Sequence, residues 1–382
     1  MTQTINRPLE GVRILDFTRV LSGPFCTAML ADIGAEVIKI ESPTGDDQRH
    51  MGAMRDGQSV SFELINRNKK SLCLDLKSPE ARKVIMELVA SCDVVVENFR
   101  PGVASRLGVD YDTLRVVRPD LIHCAISGFG QEGPLTKRPA YDVVAQAMSG
   151  FMSLTGEPGR PPVLAGDSIG DTVPGIYAAW AICAALFRRE RTGQGGQIDV
   201  AMFDCLFSLL PTALAQFQTT GTAPERTGST HPLSAPFGAF QAQDGHFVLA
   251  VANAPLFARL SEAMGLPDLP ADTRFADDQK RRAHEGDLRA IIEGWSADKP
   301  VAEVIDLFEA NGIPAAPIWN MADAAASPQV VVRDLLSRQV ETAAGPLDLP
   351  EQPVQFVGCP RGEQNPAPRL GADEALRAAL DI

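Results

Sequence analysis

Residues 161–204 read PPVLAGDSIGDTVPGIYAAWAICAALFRRERTGQGGQIDVAMFD. Within them Ile176 to Phe187 is a long apolar run without a charge, and Gln197 to Val200 is a short β-rich run after the glycines of TGQGG. A helix followed at once by a strand is the repeating element of a parallel sheet covered by helices. The apolar run is shorter than the roughly 17 to 25 residues a membrane span requires, so it reads as a buried helix. Asp171 stands where this helical run opens, with glycines before it and an apolar wall behind. A carboxylate there has two readings: a helix cap, or a nucleophile kept ionised by nearby N–H groups.

Working outward, the same alternation fills the chain before residue 200. Strands are expected at Val12 to Phe17, Glu36 to Ile40, Ser71 to Leu76, Asp93 to Val96 and Leu121 to Ile126. Ser78, Pro79 and Glu80 start a helix through ARKVIMELVAS, and Gly34 stops the one ending CTAMLADI. Beyond it, the Thr- and Gly-rich stretch 216–230 reads as a linker. A hairpin of Phe237 to Ala242 and His246 to Val251 turns through Gln243, Asp244 and Gly245, with the glycine at positive φ. Helical patterns follow at Leu256 to Gly265, Leu288 to Trp295 and Val301 to Ala310. The expectation is an α/β chain: a large domain over 1–215, a small α+β domain over 231–320, and a proline-rich segment over 321–382 that returns to pack on something. That segment ends in a short helix around Glu374 to Leu380.

With 382 residues, 45% hydrophobic and 22% charged, the chain has the length of two domains and the composition of a globular protein. A net charge of −13 disfavours nucleic acid, so any anionic ligand must be met by local basic groups. The N-terminus lacks a basic stretch followed by an apolar one, which makes a cytoplasmic protein without a membrane partner the default expectation. Seven scattered cysteines lack zinc spacing and read as reduced.

Several local patterns carry chemistry. GFGQEG at 128–133 fits a dinucleotide fingerprint, but Pro134 and a polar run follow where a helix is required. GDSIG at 166–170 fits the elbow of a serine hydrolase with Ser168 as nucleophile. Against it, Ile169, Gly170, Asp171 and Pro174 intervene before the apolar helix, and no HGGG-type loop is visible. His123 falls within a strand and reads as a core histidine. Asp142 opens a second apolar helical run, again as cap or functional acid. ENFRPG at 97–102 and SGFGQEGP at 127–134 both follow strands, where open α/β sheets bind ligands.

LDFTRVLSGP (15–24), GAEVIKIE (34–41), NRNKKSLCLDLK (66–77), ENFRPG with Arg106, SGFGQEGP, RPAYDVVAQAMSG (138–150) and GDTVPGIYAAW with TGQGGQIDVAMFD together resemble the class III coenzyme A transferases, the carnitine and formyl-CoA transferase family. The resemblance spans residues 9 to about 210 and reappears in SAPFGAFQAQDGHFVLAV (234–251) and PAPRLG (366–371). It implies a Rossmann-like large domain completed by the C-terminal segment, and a homodimer whose chains interlock like links. It also implies that coenzyme A and acyl-CoA are substrates, exchanged with a small carboxylic acid, with no permanently bound cofactor or metal.

By that resemblance Asp171 matches the catalytic aspartate that carries coenzyme A as a thioester, and Asp142 an assisting acid. Val20, Ser22, Leu74, Lys77, Asn98, Phe99, Arg106 and Tyr141 match coenzyme A contacts. Racemases of 2-methylacyl-CoA share the fold but carry a histidine just ahead of the matching Asp; here Ala140 and Tyr141 precede Asp142, which favours transfer. Leu21 replaces the glutamine of oxalate-using members and a glycine run is missing between Gln218 and Phe240, which points away from oxalate toward succinyl-CoA with another small acid. A non-catalytic acyl-CoA binding protein is the reading from a different class, opposed by the retained Asp171.

Overall fold

The computed structural model describes residues 7–375. The helix expected around Glu374 to Leu380 lies almost wholly outside them. Six strands form one parallel sheet: β1 (Arg13–Asp16), β2 (Glu36–Glu41), β3 (Lys69–Cys73), β4 (Val94–Glu97), β5 (Ile122–Ser127) and β6 (Gly196–Ala201). Their spatial order is β3-β2-β1-β4-β5-β6. Ile14 pairs with Val37 on one side and Val94 on the other, so β1 is central and the order reverses between β1 and β4. This is the Rossmann arrangement, whose ligand crevice opens at that reversal.

Period-two alternation sorts the strand residues onto two faces. Ile14, Val94 and Val96 meet Cys26 and Leu30 of α1 (Ser22–Asp32), together with Ala178 and Ile182 of the long helix Ile169–Thr192. Leu15 and Val95 meet Val84, Ile85 and Leu88 of α2 (Pro79–Ala90) on the other face. The start of α2 is as expected: Ser78 Oγ accepts the Ala81 N–H at 3.1 Å, with Pro79 in the first turn. The long helix is apolar and long enough to cross a membrane by composition, yet Ala178, Ala179, Ile182 and Leu186 are buried against the sheet.

The chain divides into two compact units. One takes the described residues up to Met152, Leu164–Thr222 and the residues from Pro328 onward; the other takes Ser153–Val163 and Ala223–Ser327. In the first, the C-terminal segment runs along β3. Ser71 N–H donates to Asp373 at 2.8 Å, Asn365 N–H to Asn68 at 2.8 Å and Ala367 N–H to Glu63 at 3.1 Å. Gln216 to Thr220, which the composition reads as linker, are the end of a helix Pro211–Thr220; Pro211 suits its first turn and Gly221, at φ +69°, stops it.

In the second unit β7 (Phe237–Gln241) and β8 (His246–Ala250) pair antiparallel and β9 (Ala315–Pro317) joins the edge. Phe240, Phe247, Phe257 and Phe308 fill its core. Gly245 is not at positive φ, contrary to expectation; the Asp244 carboxylate shapes the turn by accepting the Val301 N–H at 2.8 Å. Ser153–Val163 belong here because the Arg226 guanidinium gathers the carbonyls of Ser153, Glu157 and Arg160 at 3.3, 3.4 and 2.7 Å. No pattern within 153–163 signals that partner.

Candidate active site

Three loops leave the C-terminal ends of β1, β4 and β5 and line a cleft of about 280 Å³ at the sheet's reversal point. Residues 19–22 come from the first loop, 98–101 from the second, and Ser127, Gly128, Arg138, Ala140 and Tyr141 from the third. Asp171 completes the wall from α4, the helix Ile169–Thr192. Its helix approaches closely because Gly175 lacks a side chain: a Cβ there would lie 2.7 Å from the Ser22 carbonyl oxygen.

Asp171 does not cap the helix. Ser168 occupies the cap position and Asp171 lies in the first turn, where no group among the described residues donates a hydrogen bond to its carboxylate. The N–H that might have served it belongs to Gly170 and donates instead to Asp142 Oδ1 at 2.7 Å. Gln146 Nε2 donates to both oxygens of Asp142 at 2.9 Å. Asp142 therefore begins α3 (Asp142–Met148) as its first residue, not its cap, and ties that helix to α4. Burial first, and Asp142 second, push the Asp171 carboxyl up to about 7. The expectation that N–H groups hold Asp171 ionised is thus corrected: the Gly170 N–H serves Asp142, and those of Asp171 and Thr172 serve the Ser168 carbonyl.

The α4 helix does begin directly after Ser168 and accommodates Pro174, so that objection to a serine elbow falls. What opposes it is the histidines: His50, His123, His231 and His284 bond elsewhere, His123 being buried with Nε2 against the Val109 carbonyl at 3.1 Å. Burial lowers the His123 pKa, as befits a core residue.

Residues 9–374 match the family described as CoA-transferase family III. The chain belongs to that family. It is 42% identical to the acetyl-CoA:oxalate CoA-transferase of Acetobacter aceti, over 95% of this chain and 93% of that one. It is 38% identical to the succinate–glutarate CoA-transferase of Agrobacterium fabrum, over 98% and 96%. The crystal structure of a CaiB/BaiF family protein from Brucella suis superposes with a TM-score of 0.88 at 36% identity, covering 99% of this chain and all of that one.

In this transferase the cleft gathers Val20, Ser22, Asn98, Phe99, Tyr141 and Asp171 of the residues singled out in the sequence. Lys77 lines an adjoining cavity of about 330 Å³ that shares Arg19 and Phe99 with the cleft. Leu74 lines neither; it is buried with Leu15 and Ile38 in the core. Arg106 is exposed and lines neither, although Val103 and Leu107 of its short helix reach one cavity each. Asn98 acts on the backbone: its Oδ1 accepts the Arg19 N–H at 2.9 Å and its Nδ2 donates to the Arg19 carbonyl at 2.8 Å.

Sequence reasoning passed over Arg19, Arg100 and Arg138, which supply the local basic groups that the acidic balance demands. Arg19 reaches Asp47 at 3.5 Å, whereas Arg100 and Arg138 have no ion pair among the described residues. It also passed over Ser127, which lines the cleft and whose hydroxyl, like that of Ser22, is buried without a hydrogen-bond partner among the described residues. Beneath the second loop Glu97 accepts the Phe99 N–H at 2.6 Å, and burial pushes its pKa up to about 7.

Proposed function

We propose that this enzyme moves coenzyme A from succinyl-CoA to another small carboxylic acid through a thioester on Asp171. One observation carries this reading: of two neighbouring carboxylates at the cleft, Asp142 is fully engaged by Gly170 and Gln146, whereas Asp171 faces the cleft with no donor. Two acids held in unlike surroundings take unlike roles.

The ionised Asp171 attacks the donor thioester carbonyl; the C–O bond forms, the C–S bond breaks, and coenzyme A leaves as the thiolate. The thiolate attacks the aspartyl carbonyl of the mixed anhydride, releasing the donor acid and leaving an aspartyl thioester. The acceptor carboxylate attacks that thioester, and the returning thiolate takes the new acyl group and frees Asp171. Each step exchanges one acyl bond for another, so no net proton, nucleotide or metal enters the balance. Asp142 assists by fixing α4 and by raising the basicity of Asp171. The two contiguous cavities suit one long ligand, its phosphates near Lys77 and the arginines and its thioester at Asp171. Val20, Ser22, Asn98, Phe99 and Tyr141 are proposed to border it.

The names of similar proteins include succinate with glutarate, and oxalate, which supports a dicarboxylate in the exchange. A homodimer in the cytoplasm completes the proposal. Ile176, Trp180 and Phe187 form an exposed apolar stripe on α4 that a second copy would cover. Light scattering on the purified protein tests the dimer.

The deciding experiment incubates the enzyme with succinyl-CoA and maps peptides after borohydride or hydroxylamine treatment, expecting modification at Asp171. A panel of free acids then identifies the acceptor by the mass of the new thioester. Full turnover in Asp171→Ala would sink the mechanism.

A further inference from the structure

The loop after β1 is held from beneath by buried charges that the proposed transfer steps do not use. Val20 has φ +66°, in the left-handed region that a β-branched residue rarely adopts. Its N–H donates to Asp46 Oδ1 at 2.9 Å. The other oxygen, Oδ2, pairs with Lys39 Nζ at 2.8 Å, and both side chains are buried. Lys39 Nζ also donates to the Thr18 carbonyl at 2.7 Å. With Asn98 clasping Arg19, three successive residues of the loop have their backbone bound by side chains from β2, the turn after it and the β4 loop.

Burial opposes the charge on Lys39, but Asp46, Asp16 and Glu41 outweigh it and its pKa is raised, so the pair stays ionic. A buried ion pair adds little to stability over apolar side chains of the same volume, which leaves specificity of conformation as its use. What the loop carries into the cleft that Asp171 also lines is Val20, Leu21 and Ser22, the last being the first residue of α1.

We propose that Asp46 is a positioning residue for the transfer: by holding the Val20 N–H it keeps Val20 in its strained conformation and so fixes residues 20–22 where they line the cleft that receives the acyl-CoA. This rests on the reading of the cleft as the Asp171 transfer site. If the loop relaxes, the substrate still meets the same side chains, but the reacting thioester loses its alignment. The effect therefore falls on kcat more than on KM.

The test compares two charge-free pairs, Lys39→Met/Asp46→Asn and Lys39→Met/Asp46→Leu, in the full-length enzyme. Both remove the ion pair without stranding a charge; only asparagine retains an acceptor for the Val20 N–H. The asparagine pair should turn over at least about tenfold faster than the leucine pair, with KM values for acyl-CoA within about threefold. Val20→Gly added to the leucine pair should recover most of that difference, because glycine adopts positive φ without help. Thermal unfolding establishes that all variants fold. Amide exchange at residues 20–22 should rise in the leucine pair and not in the asparagine pair. Equal kcat in the two pairs, or no recovery with Val20→Gly, overturns the proposal alone. Absence of an Asp171 adduct in the unmodified enzyme overturns the site reading and the proposal with it.

Discussion

The Gly170 amide donates to Asp142 Oδ1 at 2.7 Å, across 28 residues of chain, and Asp171 next to it receives nothing. The first turn of a helix carries partial positive charge that could stabilise either carboxylate. Here the Gly170 N–H serves Asp142, which is not among the residues lining the cleft, so Asp171, which lines it, keeps its affinity for a proton and its reactivity toward a carbonyl.

That contact depends on the absence of a side chain at position 170. A Cβ on Gly170 would lie 2.7 Å from Asp142 Oδ1, 2.8 Å from its carbonyl oxygen and 3.1 Å from its Cα, and the last two are backbone atoms that cannot swing aside. Gly170→Ala should cost about 1–3 kcal/mol of stability and separate α3 from α4. Acyl transfer should fall at least about tenfold as Asp171 moves. Urea unfolding and initial rates measure the two effects; wild-type values in both would show that the helices tolerate the shift.

Asp171 titrates at about 7 because burial and then Asp142 disfavour its charge. Only the ionised form attacks, so kcat/KM should fall roughly tenfold per unit below pH 7 and level off above it. Asp142→Asn removes the smaller of the two causes while keeping an oxygen for the Gly170 N–H. The acid limb should then move to lower pH, though not as far as an unburied carboxylate. A pH profile of kcat/KM for both proteins decides it, and a limb displaced upward would contradict the electrostatic coupling.

The same residue affects stability with a definite sign. Its folded pKa exceeds its ordinary value of 3.8, so the folded state binds the proton more tightly. The stability this contributes is present at pH below about 4 and is lost as pH rises through about 7. Asp171→Asn should therefore abolish transfer yet melt above the unmodified enzyme at pH 8, by roughly 2–4 °C for each 1 kcal/mol relieved, with the margin closing toward pH 4. Calorimetry at the two pH values reads this directly.

The sheet was legible in the sequence because parallel strands buried on both faces are unbroken apolar runs, as Val94 to Val96 are, and turn residues bound them. Asp171 was found through the ordered motifs around it; its local pattern suggested a cap, a role that Ser168 occupies. The Gly170–Asp142 bond, the Asn98 clasp on Arg19 and the capture of Ser153–Val163 by Arg226 join residues from 28 to about 80 apart. No periodicity encodes such contacts. Leu74 shows the converse: continuing β3 toward the core, it satisfies the hydrophobic pattern and so cannot also line the cleft.

The third wall of the cleft depends on another close approach, between Gly128 at the end of β5 and Ala140. A Cβ on Gly128 would lie 2.3 Å from the Ala140 Cβ, so the returning end of this loop, which leads into Tyr141 and Asp142, is seated against a bare backbone. Gly128→Ala should push that end outward and reduce acyl transfer about tenfold. Because the obstruction is a single methyl group, Gly128→Ala/Ala140→Gly should regain most of the loss by moving that methyl across the gap. Steady-state rates with saturating succinyl-CoA compare the two. A double variant no faster than the single one would mean that Gly128 serves through its own backbone freedom and not through its fit against Ala140.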